Sequence, residues 1–170
     1  MTDLILRNAR LHDGRSVDIA IAENSIVAIE PKLAQSASQE LEIDGRLVLP
    51  AFVNGQLHAC KSFWRRILHT FSDEIQALPR FDAASHVKTR YTADDVYARV
   101  DEVMRLAIQN GTCAIRLFGD VDEASGLNAI EGLLKIQETY TRWMTVQVVA
   151  FPQDGVLNDA TQGLMHEALK

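Results

Sequence analysis

Cysteine is scarce in this chain. Cys60 and Cys113 are the two present among 170 residues, too few for a disulfide framework and too far apart for a metal-binding pair. Basic residues are also in deficit. Lys and Arg number 17 against 23 Asp and Glu, a formal charge of −6, so the chain lacks the basic footprint that displaces counterions from phosphates. That excludes nucleic acid as the expected partner. No apolar run approaches the ~18 residues that span a bilayer, and no membrane partner is expected. Met1-Thr2-Asp3 places an acid where a secretory signal carries positive charge. These absences point to a cytoplasmic protein. Also missing are a Gly-rich phosphate loop, a Gly-x-Ser-x-Gly elbow and a His-Glu-x-x-His helix. What remains is globular: 47% hydrophobic and 24% charged residues, enough apolar material to bury a core and too much for wholesale disorder.

Residues 3–50 read as short strands joined by tight turns. Leu4, Leu6 and Ala9 lead into His12-Asp13-Gly14-Arg15, whose Asp-Gly pair is a hairpin signal. Val17, Ile19 and Ile21 alternate with Asp18, Ala20 and Ala22, a half-buried strand. Glu23-Asn24 turns the chain into Ile26–Ile29, which Pro31 ends because it cannot donate to a ladder. Lys32–Glu40, rich in Ser and Gln, reads as a mobile loop. Leu41–Ile43, Asp44-Gly45-Arg46 and Leu47–Leu49 read as a second hairpin stopped by Pro50. Residues 1–50 are thus expected to form a small antiparallel β-sandwich portion.

Residues 51–170 change rhythm. Ala51–Leu57 is a short apolar run ending at His58. Residues 59–91 are weakly periodic, and a connection that long is more often functional than idle. Thr92-Ala93-Asp94-Asp95 has the form of a capping box. Val96, Val100, Val103 and Ala107 follow at helical spacing, and Asn110-Gly111 closes the helix. Thr112–Phe118 is a strand, with Gly119-Asp120 opening a loop. Leu127–Tyr140 carries a second helix, and Thr145–Phe151 reads as a strand buried on both faces. Thr161–Leu169 is a final helix. This alternation implies a parallel sheet with right-handed crossovers.

In parallel α/β architectures ligands sit at the carboxyl ends of the strands. Those ends hold Gln56 and His58, Phe118 and Asp120, and Gln153 and Asp154. Each also has a purely structural explanation. A lone histidine after an apolar strand suits a core position, Asp120 suits a helix cap, and Asp154 suits the turn before Gly155. One His with two scattered acids is a poor zinc site, because catalytic zinc takes three protein ligands. A Cys60–His58 dyad is conceivable, although residues two apart at a strand end rarely meet.

The run Asp44-Gly45-Arg46-Leu47-Val48-Leu49-Pro50-Ala51-Phe52-Val53-Asn54-Gly55-Gln56-Leu57-His58 resembles the amidohydrolase superfamily, whose matching stretch ends in a His-x-His metal motif at the first barrel strand. Arg116–Val121 lies where cytosine deaminase and its relatives carry Arg-Thr-His-Val-Asp-Val. Gln147–Gly155 resembles their Gln-Ile-Val-Ala-Phe-Pro-Gln-Glu-Gly, in which the glutamine contacts the pyrimidine ring. The resemblance implies the first three β/α units of a (β/α)8 barrel over residues 51–170, a divalent metal ion (iron or zinc), and a small nitrogen heterocycle as ligand. It assigns His58 to the metal and Gln153 to the ring amide.

The departures matter as much. Gln56 stands where the first metal-binding histidine belongs, Phe118 replaces the second-strand histidine, and Ala59-Cys60 replaces Leu-Asp. Gln56 is a weak substitute, since a neutral amide oxygen suits harder cations than zinc. A complete barrel needs about 250 residues, and the family's later histidines, glutamate and aspartate match nothing here. The expectation is therefore the N-terminal part of a cytosine deaminase-like amidohydrolase, inactive as this chain alone, with open strand edges suited to a homo-oligomer or a missing C-terminal half. The alternative is a catalytically inactive relative serving as a binding or assembly module.

Overall fold

The computed structural model describes residues 2–170 and forms two compact units, Met1–Pro50 and Ala51–Lys170. The first unit is a four-stranded sheet of β1 (Leu4–Arg10), β2 (Ser16–Ala22), β3 (Ser25–Glu30) and β4 (Gln39–Glu42), in the order β3-β2-β1-β4. β1 and β2 pair antiparallel from Leu4 opposite Ile21 to Arg10 opposite Ser16. β2 and β3 are joined at Glu23 and Asn24, both at positive φ (48° and 61°), the left-handed geometry that matches a hairpin's twist. Ala9, Val17 and Ile19 form its small core.

Two expectations for this unit need correction. The segment after β3 does not fold back on itself as a second hairpin. β4 runs parallel to β1, from Leu4 opposite Gln39 to Arg7 opposite Glu42, and the Arg10–Leu47 bridge is parallel too. Asp44 and Gly45 (φ 54° and 70°) make a kink, after which the chain resumes its course beside β1. The sheet is therefore mixed rather than antiparallel. Nor is the Ser/Gln-rich loop free. The Arg7 guanidinium donates to the carbonyls of Leu33 (2.7 Å) and Gln35 (2.8 Å) and to Asp18 (2.7 Å). Asp18 in turn accepts the Leu33 and Asn8 amides. Backbone groups of an irregular segment need such partners, and the Arg7–Asp18 pair supplies them, the guanidinium to carbonyls and the carboxylate to amides.

The second unit is an α/β layer. Its sheet holds β5 (Phe52–Leu57), β6 (Thr112–Val121) and β7 (Thr145–Pro152), all parallel, in the order β5-β6-β7. The long connection after β5 contains short α1 (Trp64–Leu68) and α2 (Asp73–Gln76), then α3 (Arg80–Lys88) and α4 (Ala93–Gln109). α5 (Asn128–Tyr140) links β6 to β7, and α6 (Asp159–Ala168) closes the unit. The Thr92 hydroxyl accepts the Asp95 amide at 3.1 Å and caps α4 as its sequence predicts. Gly111, at φ 82°, ends it. Val96, Val100 and Met104 on α4 meet Leu133, Ile136 and Tyr140 on α5 in one fully buried cluster.

β6 runs three residues past the expected end at Phe118, which carries Asp120 into the strand and into the core. β7 is an edge strand in which Val146 is buried, Thr145 and Gln147 beside it are exposed, and the rest is half-buried. Its β-branched run reflects one-sided packing rather than burial on both faces.

Gly132 on α5 lets the two helices touch. A Cβ there would lie 2.8 Å from the Ala93 carbonyl oxygen and 2.8 Å from the Val96 side chain. Gly132→Ala gains about 1 kcal/mol of helix propensity, but it drives a methyl into backbone that cannot rotate away. The expected net loss is about 1–3 kcal/mol, read as a lower urea midpoint with an unchanged slope. An unchanged or higher midpoint would show that the helices part without cost.

Candidate functional site

The loop after β5 carries His58 and Lys61, and α4 holds that loop in place. Arg99, buried at 5% exposure, donates to the carbonyls of Cys60 (2.6 Å) and Ser62 (2.7 Å) and pairs with Asp95. Its guanidinium lies over the Tyr91 ring, 4.5 Å from the centroid. With the loop fixed, the ends of the three strands converge on one buried carboxylate.

That carboxylate is Asp120, at 0% exposure. Its Oδ2 lies 2.6 Å from Lys88 Nζ and its Oδ1 3.1 Å from Lys61 Nζ and 3.5 Å from His58 Nδ1. Lys88 also reaches Asp122 Oδ2 at 2.6 Å. Asp122 Oδ1 accepts both the amide and the hydroxyl of Ser125 at 2.8 Å. Lys61 Nζ then donates to Gln153 Oε1 at 2.5 Å. A continuous polar chain therefore runs from Gln153 at the end of β7 through Lys61 to Asp120 and on to His58 after β5. The contacts on Asp120 are charge contacts rather than well-aligned hydrogen bonds, and neither its oxygens nor His58 Nδ1 receives a directed partner.

Burial works against the Lys88 ammonium, but Asp120 and Asp122 outweigh it and hold its pKa above the usual lysine range. Burial likewise opposes the Asp122 charge, and the bonds from Lys88 and Ser125 overcome it, leaving that carboxyl below its ordinary range. Cys60 behaves otherwise. Burial, with the Asp120 charge behind it, pushes its thiol up to about 11, and Sγ faces the Phe118 carbonyl at 3.5 Å. A Cys60–His58 dyad is thereby excluded, since a nucleophilic thiol needs a lowered pKa.

Above the network opens a cavity of about 300 Å³ lined by Lys61, Trp64, Arg80, Lys88, Tyr91 and Gln153, with Phe81 and Asp154 at its rim. Gln153 thus shares Lys61 with the carboxylate that faces His58, joining positions that the sequence places far apart. Asp120 is neither a loop residue nor a helix cap but the centre of the network. Asp154 is exposed in the turn closed by the Gly155 amide on the Pro152 carbonyl. Gln56 is exposed and outside the cavity lining.

Sequence reasoning missed Lys61, Lys88 and Asp122. A signal existed for Asp122, because alternation along a strand puts it on the same face as Asp120. Lys88 had none, lying in a segment of weak periodicity.

The donor set of this chain does not fit a catalytic metal. His58 is the single imidazole at the site. Phe118 stands beside it with ring centroids 5.4 Å apart, and Phe151 meets it edge-on at 4.9 Å. Among the described residues no three His, Cys, Asp or Glu side chains gather within reach of one ion, whereas catalytic zinc takes three protein ligands.

No family model matches the chain. Individual relatives do. It is 32% identical over 180 aligned positions to N-isopropylammelide isopropyl amidohydrolase of Pseudomonas sp. (strain ADP), covering 98% of this chain and 43% of that protein. The crystal structure of N-isopropylammelide isopropylaminohydrolase from Burkholderia multivorans superposes with a TM-score of 0.82 at 30% identity, over 99% of this chain and 43% of that one. Over nearly its whole length the chain is similar to one part of these amidohydrolase superfamily proteins. It spans less than half the length of the relatives it matches. The amidohydrolase fold extends to 5-methylcytosine deaminase from Klebsiella pneumoniae, solved with 5-fluorocytosine, at a TM-score of 0.78, 22% identity and coverage of 97% and 40%.

Lys88→Met should cost about 3–5 kcal/mol at neutral pH, because it leaves two buried carboxylates with too little compensation. The pH dependence carries a sign. Asp122 stabilises the parent above the ordinary carboxyl pKa of about 3.9, and that contribution fades as pH falls; the Lys88 contribution is full below about 10.4 and fades as pH rises beyond it. The variant should instead gain stability on acidification from pH 7, as its stranded carboxylates take up protons. Denaturant melts across pH check this, and parallel curves for parent and variant would remove the network's structural role.

Proposed function

We propose that this chain is the N-terminal part of a cytosine deaminase-like amidohydrolase and supplies the heterocycle-orienting side of its site. The observation that carries the reading is the Gln153–Lys61–Asp120–His58 chain, which joins the ends of three parallel strands beneath one cavity. Strand ends converge in this way at the mouth of a (β/α)8 barrel, where such enzymes bind substrate. Similarity to N-isopropylammelide and cytosine-type hydrolases supports a small nitrogen heterocycle as the ligand class and hydrolytic deamination, or related C–N cleavage, as the reaction of the whole protein.

In this reading Gln153 hydrogen-bonds the ring amide and Lys61 holds Gln153 in place. Arg99 keeps the His58–Lys61 loop where both can act. His58 is the one residue offered to a divalent ion, iron or zinc, whose remaining ligands lie outside these residues. β5 and β7 are each paired on one side only, and Phe52 and Val53 on β5 are exposed. Open parallel edges of this kind invite pairing, so the reading calls for the rest of a barrel, or a second copy, against them.

The replacement of two motif histidines by Gln56 and Phe118 favours a second reading, an inactive relative that binds without turnover. Purified chain given cytosine with Zn²⁺ or Fe²⁺ should release no ammonia. The longest natural product containing it should hydrolyse a heterocycle in a chelator-sensitive reaction. Chelator-sensitive ammonia release by the 170 residues alone would overturn the first expectation, and binding without turnover by the long form would establish the second reading.

A further inference from the structure

Between Lys61 and Trp64, both of which line the cavity, the chain changes direction, and one backbone angle makes the change. Ser62 is extended (φ −65°, ψ 143°), Phe63 is left-handed (φ 56°, ψ 15°), and α1 begins at Trp64. Among the described residues five non-glycine positions have positive φ. Four of these are Asn, Asp or Glu in the first unit, and Phe63 is the bulky apolar one. A large side chain is an outlier in that region, because its Cβ crowds the backbone. Glycine would fit there without that cost. Such a conformation persists only where its surroundings over-determine it. What over-determines Phe63 is α4. On one side of the joint Arg99 takes the Cys60 and Ser62 carbonyls. On the other, two nitrogens of Arg66 donate to the two carboxylate oxygens of Glu102 at 2.6 and 3.0 Å. The same guanidinium lies over the Phe63 ring, 4.1 Å from its centroid, a contact that glycine could not make. Arg99 and Glu102 are three residues apart, so one face of α4 grips both sides of the joint. The turn also closes on itself, through the Ser62 amide to the Ala59 carbonyl (2.8 Å) and the Arg66 amide to the Phe63 carbonyl (2.9 Å).

We infer that Phe63 is a positioning residue for the cavity. Its left-handed backbone lets Lys61 reach Asp120 and Gln153 while Trp64, three residues on, forms the facing wall. The Phe63–Arg66–Glu102 stack holds that conformation from α4. Phe63 itself is not among the cavity's lining residues, so it acts through its neighbours. A joint relaxed to an ordinary negative φ would turn Trp64 away from Lys61 and unmake the wall, with the Lys88 ion pairs on β6 left in place. The functional weight of this assignment rests on the heterocycle reading above; the conformational claim does not.

The test reads the full 170-residue chain without ligand, so its failure leaves the heterocycle reading standing, and failure of ring binding leaves the joint standing. The chain has two tryptophans, and in a Trp143→Phe background Trp64 reports alone. Phe63→Ile keeps an apolar side chain but is β-branched, which resists positive φ. In that variant Trp64 emission should move to longer wavelength and its quenching by acrylamide should rise. Phe63→Tyr keeps both joint and ring and should reproduce the parent. Phe63→Asn tolerates the left-handed region but lacks the ring, and should fall between them. A Phe63 that merely fills space predicts the opposite order, with Phe63→Ile nearer the parent than Phe63→Asn. That order, or unchanged Trp64 signals in Phe63→Ile, would overturn the inference. Glu102→Gln carries the test if Phe63→Ile fails to fold. It removes an exposed ion pair outside the cavity lining, so the denaturant midpoint should hold. Hydrogen exchange at the Ser62 and Arg66 amides should nevertheless quicken about two- to fivefold, the bias that an exposed pair can supply. Unchanged exchange at those two amides would free the joint from α4 and overturn the inference.

Discussion

A carboxylate with no solvent exposure sets the terms for the second unit. Asp120 sits inside a parallel sheet, where an unpaired charge is costly enough that the fold must bring cations to it. Those cations come from different places in the sequence: Lys61 from the loop after β5, and Lys88 from the C-terminal end of α3. The requirement therefore fixes two otherwise weakly determined segments at once. It explains how the stretch between β5 and α4, which has little hydrophobic periodicity, still adopts a definite course. α3 has one end anchored by an ion pair and its middle by Ala83 and Val87, both buried. Asp122, just past the end of β6, adds to the constraint by sharing Lys88, so the two acids and the two lysines facing them form one charge-balanced unit.

Much of this architecture was legible from sequence, and the reason is local. The Thr92 cap, the Asn110-Gly111 stop, the Val96–Val100–Met104 stripe and the β-branched run of β7 each record an interaction made within a few residues. So do the Asp13-Gly14 and Glu23-Asn24 turns. Illegible features depend on partners distant in sequence. The parallel pairing of β4 with β1 looks, from Asp44-Gly45 alone, like a hairpin. It is settled by Arg7 and Asp18 reaching across to Leu33 and Gln35. The extension of β6 through Asp120 reads as a loop because Gly119 and Asp120 are poor strand formers in isolation. A Cβ at Gly119 would press on the Ile130 and Leu133 side-chain ends, 2.6 and 3.0 Å away, and Asp120 is met there by two lysines. At the site, topology alone pointed to six strand-end residues, Gln56, His58, Phe118, Asp120, Gln153 and Asp154, of which the network joins His58, Asp120 and Gln153, whereas the lysines that connect them emerged only in three dimensions.

The amidohydrolase features that this chain keeps and those it has changed are physically separable. Gln56 is exposed and makes no side-chain bond to the network. Phe118 packs its ring against His58 and, at 6.0 Å, against Phe151, an apolar contact within which only His58 touches the charged groups. Replacing imidazoles at these two positions leaves Lys88, Asp120, Lys61 and Gln153 without a lost partner. Neither Gln56 nor Phe118 supplies a cation to Asp120, so both can differ without stranding that buried carboxylate. The converse does not hold. Removing Lys61 or Lys88 takes a cation from a buried carboxylate and a side chain from the cavity lining at once. A poor donor set around His58 beside an intact Lys61–Gln153 contact is the arrangement that this asymmetry produces.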